Sequence, residues 1–131
     1  RSVCCVYPTA PFIQKTYLCK GLENIESADV DFSFSVVEFP HPVWRSFRLS
    51  DKLAIEPIDT SDMGARTQDV RSVFHDAGQF YWGKVHTFLE KRELFSSRSV
   101  GVPIPRYLVC DIDTEEDWRY AEIIYRDHAN Q

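Results

Sequence analysis

Short apolar blocks, separated by breaks that contain proline or glycine, predict a succession of strands and helices along the chain. The run 2–7 is almost continuously apolar and is followed by Pro8, which is typical of a strand covered on both faces. We expect a helix next, because Pro11 suits the first helical turn. Apolar positions at helical spacing predict its buried face: Leu18, Leu22 and Ile25.

A second strand is predicted at 32–39, where aromatic and β-branched residues precede Pro40. The order strand, helix, strand favours a parallel sheet covered by helices. The next segment differs, because 43–49 alternates apolar and polar residues and 53–57 can pair back with it. We therefore predict an antiparallel hairpin over 43–57, inserted in a single α/β domain that spans 1–131.

The second half of the chain repeats the change from strand to helix. A buried strand is predicted at 79–82, with a helix after Gly83, and another strand at 107–110. Thr114 and Asp117, three residues apart, have the form of a capping box at the start of a last helix. The apolar positions of the two helices predict their buried faces: Val85, Phe88 and Leu89 in the first, and Trp118, Ala121 and Tyr125 in the second.

Composition excludes several classes of protein. Hydrophobic residues make up 44% of the 131 residues, so the chain should fold. A net charge of −5 lacks the positive field that holds nucleic acid or an anionic membrane surface. No apolar run approaches the ~20 residues that cross a bilayer, and we expect a soluble, intracellular protein. The four cysteines lack the spacing of zinc ligands and are expected to be buried, reduced thiols.

Two carboxylates stand one residue apart at the predicted end of the last strand. On an extended backbone Asp111 and Asp113 point to the same side, while Ile112 faces the core. Ligands bind at the carboxyl ends of strands in parallel α/β sheets, and paired carboxylates are a natural site for Mg²⁺. The alternative is purely structural, because acidic residues and Thr114 also cap a helix and complement its dipole.

A second dense region lies at 66–69 and 75–83. Arg66 and Gln68, followed by a predicted turn at 75–78, could clamp a carboxylate and the hydroxyls of a polar ligand. The alternative is a loop and strand start held by ordinary side-chain to backbone bonds. A hydrolase triad is excluded, because no nucleophilic elbow accompanies the adjacent His75 and Asp76.

Five blocks, in order over nearly the whole chain, resemble the cytidylyltransferases that activate nonulosonic acids. The blocks are "YPTAPF" (7–12), "FSVVEFPHPV" (34–43), "RTQD" (66–69), "HDAGQFYWG" (75–83) and "DIDTEEDW" (111–118). The family includes the CMP-sialic acid synthetases, and the fourth block is more similar to the pseudaminic acid enzymes of flagellin glycosylation.

The resemblance implies a fold, a reaction and a set of partners. The fold is the Rossmann-like, three-layer α/β/α type of the nucleotide-diphospho-sugar transferases, here partial, with an inserted β element that forms a homodimer. The implied reaction joins CTP and a free nonulosonic acid to give a CMP-sugar and pyrophosphate, with Mg²⁺ as cofactor. The resemblance also implies a bacterial protein located in the cytoplasm.

The resemblance also assigns roles to individual residues. It makes Asp111 and Asp113 the metal ligands, with Asp113 the firmer match. Two further groups match the loop beside the nucleotide and the acceptor pocket: Pro8, Thr9 and Ala10 in the first, and Thr9, Arg66, Gln68, His75, Asp76, Gly78, Gln79 and Tyr81 in the second. Tyr7 departs from the glutamine of the sialate enzymes.

One family feature is missing from the sequence. The family opens with a glycine-rich, basic loop that holds the triphosphate, and the five glycines of this chain are not clustered. We expect from this absence an N-terminally truncated domain with an incomplete CTP site. Two hypotheses stay open: a CMP-sugar synthetase, and a catalytically silent remnant that folds and dimerises through the hairpin. A nucleotidyltransferase that uses another sugar acid would share the metal chemistry.

Overall fold

The computed structural model describes residues 1–58 and 72–129. Two units can be distinguished, one formed by Arg1–Val37 with Asp76–Gln131 and the other by Glu38–His75. The strands are β1 (Ser2–Val6), β2 (Phe32–Glu38), β3 (Phe47–Leu49), β4 (Ile55–Pro57), β5 (Phe74–Lys84) and β6 (Ser99–Pro103). The helices are α1 (Lys15–Ile25), α2 (Val85–Leu89) and α3 (Glu115–Ala129), with short 3₁₀ turns at Val43–Arg45 and Arg106–Leu108.

A four-stranded sheet in the order β1-β5-β2-β6 forms the centre of the first unit. β1 pairs with β5 antiparallel, and β2 pairs with β6 parallel. β5 also runs antiparallel to β2. The Lys84 N–H donates to the Asp31 carbonyl at the start of β2, and the Gln79 N–H donates to Ser35 Oγ further along it. The prediction of a parallel sheet is therefore only partly correct: β2 and β6 are parallel, but β5 lies between β1 and β2, antiparallel to both, and makes the sheet mixed.

The fourth strand of the sheet is not the one that the sequence predicts. The segment 107–110 begins in a 3₁₀ turn and forms no strand, and β6 takes the place beside β2. Pro103 and Pro105 explain the difference, since proline cannot donate to a strand ladder and ends β6 before Tyr107. β6 itself gave no clear pattern, because only Val102 within it is fully buried.

β1 is an edge strand of this sheet and is largely exposed. Val3 and Val6 are 44% and 47% exposed, so the prediction of a strand covered on both faces is not met. The cysteines of the chain were expected to be buried, but Cys5 and Cys19 are exposed and only Cys110 is buried.

Helix α1 begins at Lys15, later than Pro11, and packs on β5 through a face that only partly matches the predicted one, because Ile25 is buried and Leu18 half-buried but Leu22 is not. Gly21 and Ile25 are buried, whereas Leu22 is 37% exposed. A Cβ atom at Gly21 would lie 2.7 Å from Trp82 Cδ1, so only glycine allows this close approach. The indole Nε1 of Trp82 donates to the Leu18 carbonyl at 2.9 Å and fixes the helix on the strand.

The predicted inner faces of the other two helices are only partly correct. Ala121 of α3 is buried, together with Phe12, Leu108 and Cys110, but Trp118 and Tyr125 are 54% and 66% exposed. In α2 the buried residue is Thr87, whereas three predicted inner positions are exposed: Val85, Phe88 and Leu89. Apolar spacing alone did not distinguish the two sides of these helices.

The second unit contains the predicted hairpin with shorter strands. β3 and β4 pair antiparallel, with Leu49 opposite Ile55, whereas 43–45 is a 3₁₀ turn. The connecting turn is closed by Ser50, which donates its N–H to the Ala54 carbonyl at 3.0 Å. The apolar side chains of this hairpin face outward: Phe47, Leu49, Leu53 and Ile55.

None of the helices in the described part of the chain is both long enough and apolar enough to cross a bilayer.

Candidate functional site

A left-handed glycine within β5 shapes the centre of the candidate site. The segment 75–78, predicted as a turn, lies within β5, but Gly78 has φ +64°. Its N–H donates to Asp76 Oδ1 at 2.9 Å, as in an Asx turn. The strand therefore carries a local bend at Gly78, a conformation that residues with a Cβ rarely adopt.

Asp76 also binds an aromatic side chain further along the strand. The Tyr81 hydroxyl donates to Asp76 Oδ2 at 2.6 Å. Burial raises the pKa of Tyr81, and the hydrogen bond to the Asp76 carboxylate raises it further, so the phenol keeps its proton at neutral pH. The ring of Tyr7 lies 5.2 Å from that of Tyr81 and is 42% exposed. Tyr81 itself is buried, so Tyr7 is the exposed aromatic residue here, and the Asp76–Tyr81 pair lies beneath it.

Gln79 connects three segments that meet at this site. Its side-chain Nε2 donates to the Leu108 carbonyl at 2.6 Å, and its backbone N–H donates to Ser35 Oγ at 3.1 Å. Its carbonyl accepts from the Tyr7 N–H at 3.0 Å. With 1% of its surface exposed, Gln79 is a buried polar residue whose backbone groups and side-chain Nε2 are hydrogen-bonded within the protein.

The two carboxylates lie just after the segment that Gln79 binds. Asp111 and Asp113 are exposed, and Ile112 between them is half-buried against the cluster that contains Leu108 and Cys110. The alternation predicted for a strand end is thus present without a strand. The position that a Cβ on Gly78 would occupy is 3.5 Å from Asp111 Oδ2, so this carboxylate lies against the bend in β5.

Asp117 forms the N-terminal cap of α3 together with Thr114, as the predicted capping box requires. Asp117 N–H donates to Thr114 Oγ1 at 3.2 Å, and Asp117 Oδ2 accepts from the Thr114 N–H at 2.8 Å. The hydrogen bond from the Thr114 hydroxyl lowers the pKa of Asp117. Asp117 also accepts from the Asp113 N–H at 3.3 Å, so the cap fixes the backbone of the second candidate ligand.

The donor set at this site suits a hard cation. Within the described ranges no group of three or more His, Cys, Asp or Glu side chains could hold a metal ion. Asp111 and Asp113 would therefore need further oxygen ligands to complete the coordination of an ion. Mg²⁺ is commonly held in this way, by one or two carboxylates together with phosphates and water.

The remaining predicted residues are distributed more widely. Pro8, Thr9 and Ala10 form a turn after β1, which the Ala10 N–H closes by donating to the Tyr7 carbonyl at 3.3 Å. His75 belongs to the second unit, where its ring lies 4.6 Å from that of Phe39. Two predicted ligands lie outside the described residues: Arg66 and Gln68.

Sequence reasoning missed two residues of this arrangement. Ser35 is fully buried and binds the β5 backbone, and Leu108 provides the carbonyl that Gln79 binds. Neither has a local signal, because the contacts join residues 44 and 29 positions apart. The sequence marks Tyr7 only as a departure from the sialate enzymes, and it does not predict the contact with Tyr81.

Comparison with known proteins gives close relatives but no matching family model. The chain is 37% identical over 124 residues to a pseudaminic acid cytidylyltransferase of Campylobacter jejuni, an alignment that covers 95% of this chain and 53% of that protein. It is 31% identical over 113 residues to an N-acylneuraminate cytidylyltransferase of Streptococcus agalactiae, covering 84% of this chain and 27% of that protein.

A third relative joins two named activities in one protein. It is the pseudaminic acid cytidylyltransferase and UDP-2,4-diacetamido-2,4,6-trideoxy-beta-L-altropyranose hydrolase of Helicobacter pylori, 31% identical over 110 residues, with 83% of this chain and 21% of that protein covered. The chain spans about half the length of the Campylobacter relatives. The resemblance seen in the sequence blocks is thus confirmed, and the chain is a homologue of the pseudaminic acid and N-acylneuraminate cytidylyltransferases.

Proposed function

We propose that this chain forms the metal- and acceptor-binding part of a cytidylyltransferase, which transfers CMP from CTP to a nonulosonic acid. Pseudaminic acid is the favoured acceptor, because two relatives at 37% identity carry its name, and sialic acid is the next. One observation supports the proposal most directly: the exposed Asp111 carboxylate lies beside Gly78 in β5, the strand that carries the Asp76–Tyr81 pair.

The proposed reaction is a substitution at phosphorus. The anomeric hydroxyl of the acid forms a bond to the α-phosphorus of CTP, and the bond from that phosphorus to the bridging oxygen of pyrophosphate breaks. Pyrophosphate leaves with the bonding electron pair, and the hydroxyl gives up its proton. Positioning and neutralisation of phosphate charge are the main tasks of the protein in such a transfer.

Asp111 and Asp113 are the residues that would hold Mg²⁺. When bound, the ion neutralises phosphate charge as a Lewis acid. Their exposure leaves the oxygen atoms open to solvent and ligand. The capping bond from the Asp113 N–H to Asp117 restrains the backbone that carries them.

The acceptor would lie against Tyr7, beside the Asp76–Tyr81 pair of β5. Tyr81 is held by Asp76, and Tyr7 presents its exposed ring beside it. A ring of this kind can pack against the apolar face of a sugar, while carboxylate oxygens accept bonds from its hydroxyl groups. The turn at Pro8, Thr9 and Ala10 would border the nucleotide.

Calorimetry of the chain with CTP and Mg²⁺ is the first test of the proposal. Binding that requires Mg²⁺ is expected to be lost in Asp111→Asn and in Asp113→Asn, by about 100-fold or more. Glu116→Gln is the matched control, because it removes one exposed carboxylate in the first turn of α3. Retention of Mg²⁺-dependent binding in both site variants would contradict the metal role.

Turnover is tested with a panel of acids in the same proteins. Release of pyrophosphate should require CTP, Mg²⁺ and a nonulosonic acid, with pseudaminic acid used before sialic acid. The CMP-sugar would serve flagellin or another surface glycan, in the bacterial cytoplasm where CTP is available. Use of an unrelated sugar acid would overturn the choice of acceptor.

A second candidate function is association through the hairpin without nucleotide binding. It is favoured by the exposure of four apolar residues in the second unit, which are 48% to 75% exposed: Phe47, Leu49, Leu53 and Ile55. A surface of this kind suits a second copy of the chain. Absence of CTP binding in a folded, self-associating chain would favour this candidate over the enzyme.

A further inference from the structure

Gln79 is a buried amide in a strand that otherwise buries mainly apolar side chains. It is 1% exposed, between the fully buried Phe80 and the half-buried Gly78. Burial of an amide is unfavourable unless its groups are hydrogen-bonded, and Nε2 has its partner in the Leu108 carbonyl at 2.6 Å. The bond joins β5 to a segment that belongs to no strand.

The segment that receives this bond leads directly to the candidate metal ligands. Residues 109–113 follow the turn Arg106–Leu108 without strand pairing. Leu108, Cys110 and Ile112 anchor it by apolar packing, which fixes its depth in the core. Apolar packing is not directional, whereas the bond from Gln79 fixes the position of the segment along β5.

The backbone of Gln79 is itself held on both sides. Its N–H donates to the fully buried Ser35 Oγ in β2, and its carbonyl accepts from Tyr7 at the end of β1. The amide thus extends from a point that two other strands restrain. Because two neighbouring strands restrain the backbone of Gln79, its hydrogen bond holds the Leu108 carbonyl in a fixed position relative to the sheet.

We propose that Gln79 is a positioning residue, which holds the segment 108–113 so that Asp111 lies against Gly78. The role of the carboxylates rests on the proposed function, whereas the restraint on the segment does not. In this assignment Gln79 acts through Asp111 and does not contact the sugar, because only 1% of its surface is exposed.

The variant Gln79→Met tests the inference, because it keeps the length of the side chain and removes the donor. Thr87→Val is the matched control. Thr87 is also fully buried, and its hydroxyl donates to the Lys84 carbonyl at 2.7 Å, away from residues 108–113. Both variants remove one buried bond from a side chain to a carbonyl.

Hydrogen exchange of the backbone amides at 109–113 is the main measurement. Exchange there should be on the order of tenfold faster in Gln79→Met, with α1 unchanged. Thr87→Val should leave 109–113 as in the wild type. Equal exchange at 109–113 in the wild type and Gln79→Met would overturn the inference.

A measurement on the unaltered chain covers the case in which Gln79→Met does not fold. The side-chain amide protons of Gln79 should exchange much more slowly than those of the exposed Gln14. Equal rates for the two amides would overturn the inference.

A metal titration separates this inference from the proposed function. In Gln79→Met the Mg²⁺ concentration for half-maximal CTP binding should rise several-fold, with the KM for the sugar acid unchanged. If Gln79→Met raised the KM for the sugar acid and left amide exchange at 109–113 unchanged, Gln79 would contact the sugar and the inference would be overturned. Faster exchange in a chain whose wild type binds no CTP would support the positioning role and contradict the proposed function.

Discussion

Asp31 is a buried carboxylate that holds two arginines at the start of β2. It accepts from Arg98 Nε at 2.8 Å and from Arg92 at 2.9 Å, and its own N–H donates to the Arg98 carbonyl. The hydrogen bonds from Arg98, and then those from Arg92, hold the pKa of Asp31 well below its usual range. One side chain thus ties the loop before β6 to β2.

The first prediction at this scale concerns acid stability. Because the folded-state pKa of Asp31 is lowered, its contribution to the free energy of unfolding is present above the usual carboxyl pKa of about 4. It is lost as the pH falls through the lower, folded-state pKa. We expect Asp31→Asn to lower the melting temperature at pH 7 and to weaken its decline in acid.

The exposed pair of Lys20 and Glu23, 3.2 Å apart, provides the control for this prediction. Glu23→Gln should leave the melting temperature nearly unchanged, since exposed ion pairs contribute little. Equal changes of the melting temperature in Asp31→Asn and Glu23→Gln would show that the buried carboxylate stabilises the protein no more than an exposed one.

Gly78 leads to a second prediction, from backbone conformation. Gly78→Ala should reduce the free energy of unfolding by about 1–2 kcal/mol, because φ +64° is unfavourable for residues with a Cβ. Gly78→Asn should cost less, since asparagine tolerates this region better. Urea unfolding measures both, and an equal cost for the two variants would contradict the argument from φ.

At the scale of elements, α3 depends on its N-terminal cap. Thr114→Ala removes the acceptor for the Asp117 N–H and should destabilise the protein by about 1 kcal/mol in urea unfolding. Thr16→Ala, in the first turn of α1 and exposed, is the control. A cost at Thr114 no larger than that at Thr16 would show that the cap contributes little.

Elements with local signals could be predicted from the sequence. Proline breaks and β-branched runs indicated β2, and the spacing of Thr114 and Asp117 indicated the cap of α3. β6 could not be predicted in this way, because its position depends on β2, about 60 residues earlier in the chain. The outward Trp118 could not be predicted either, since spacing does not tell which neighbour covers a helix.

In the candidate site, too, some features follow from the local sequence and others depend on contacts between distant residues. The alternation at 111–113 follows from local spacing, whereas the approach of Asp111 to Gly78 depends on the bond between Gln79 and Leu108. Tertiary contacts of this kind leave no periodic trace in a single sequence. The family resemblance predicts which residues form the candidate site, and the structure gives the positions of those that lie in the described ranges.

At the scale of the whole molecule, the outward face of the hairpin predicts self-association. Sedimentation should show a dimer of the wild-type chain, and Leu49→Lys with Ile55→Lys should shift it to monomer, because charges oppose burial of these opposite positions. Arg48→Gln, on the same strand, should leave the dimer intact. A monomeric wild type at high concentration would contradict this proposal.

The strand order has a consequence for how the polypeptide reaches its native state. β1 and β2 do not bond to each other, and β5, which separates them, begins only at Phe74. A nascent chain that has emerged only as far as β2 therefore has two edges awaiting the same later strand. Assembly of the sheet must wait for translation of residues 74–84, a delay that favours slow folding and chaperone contact.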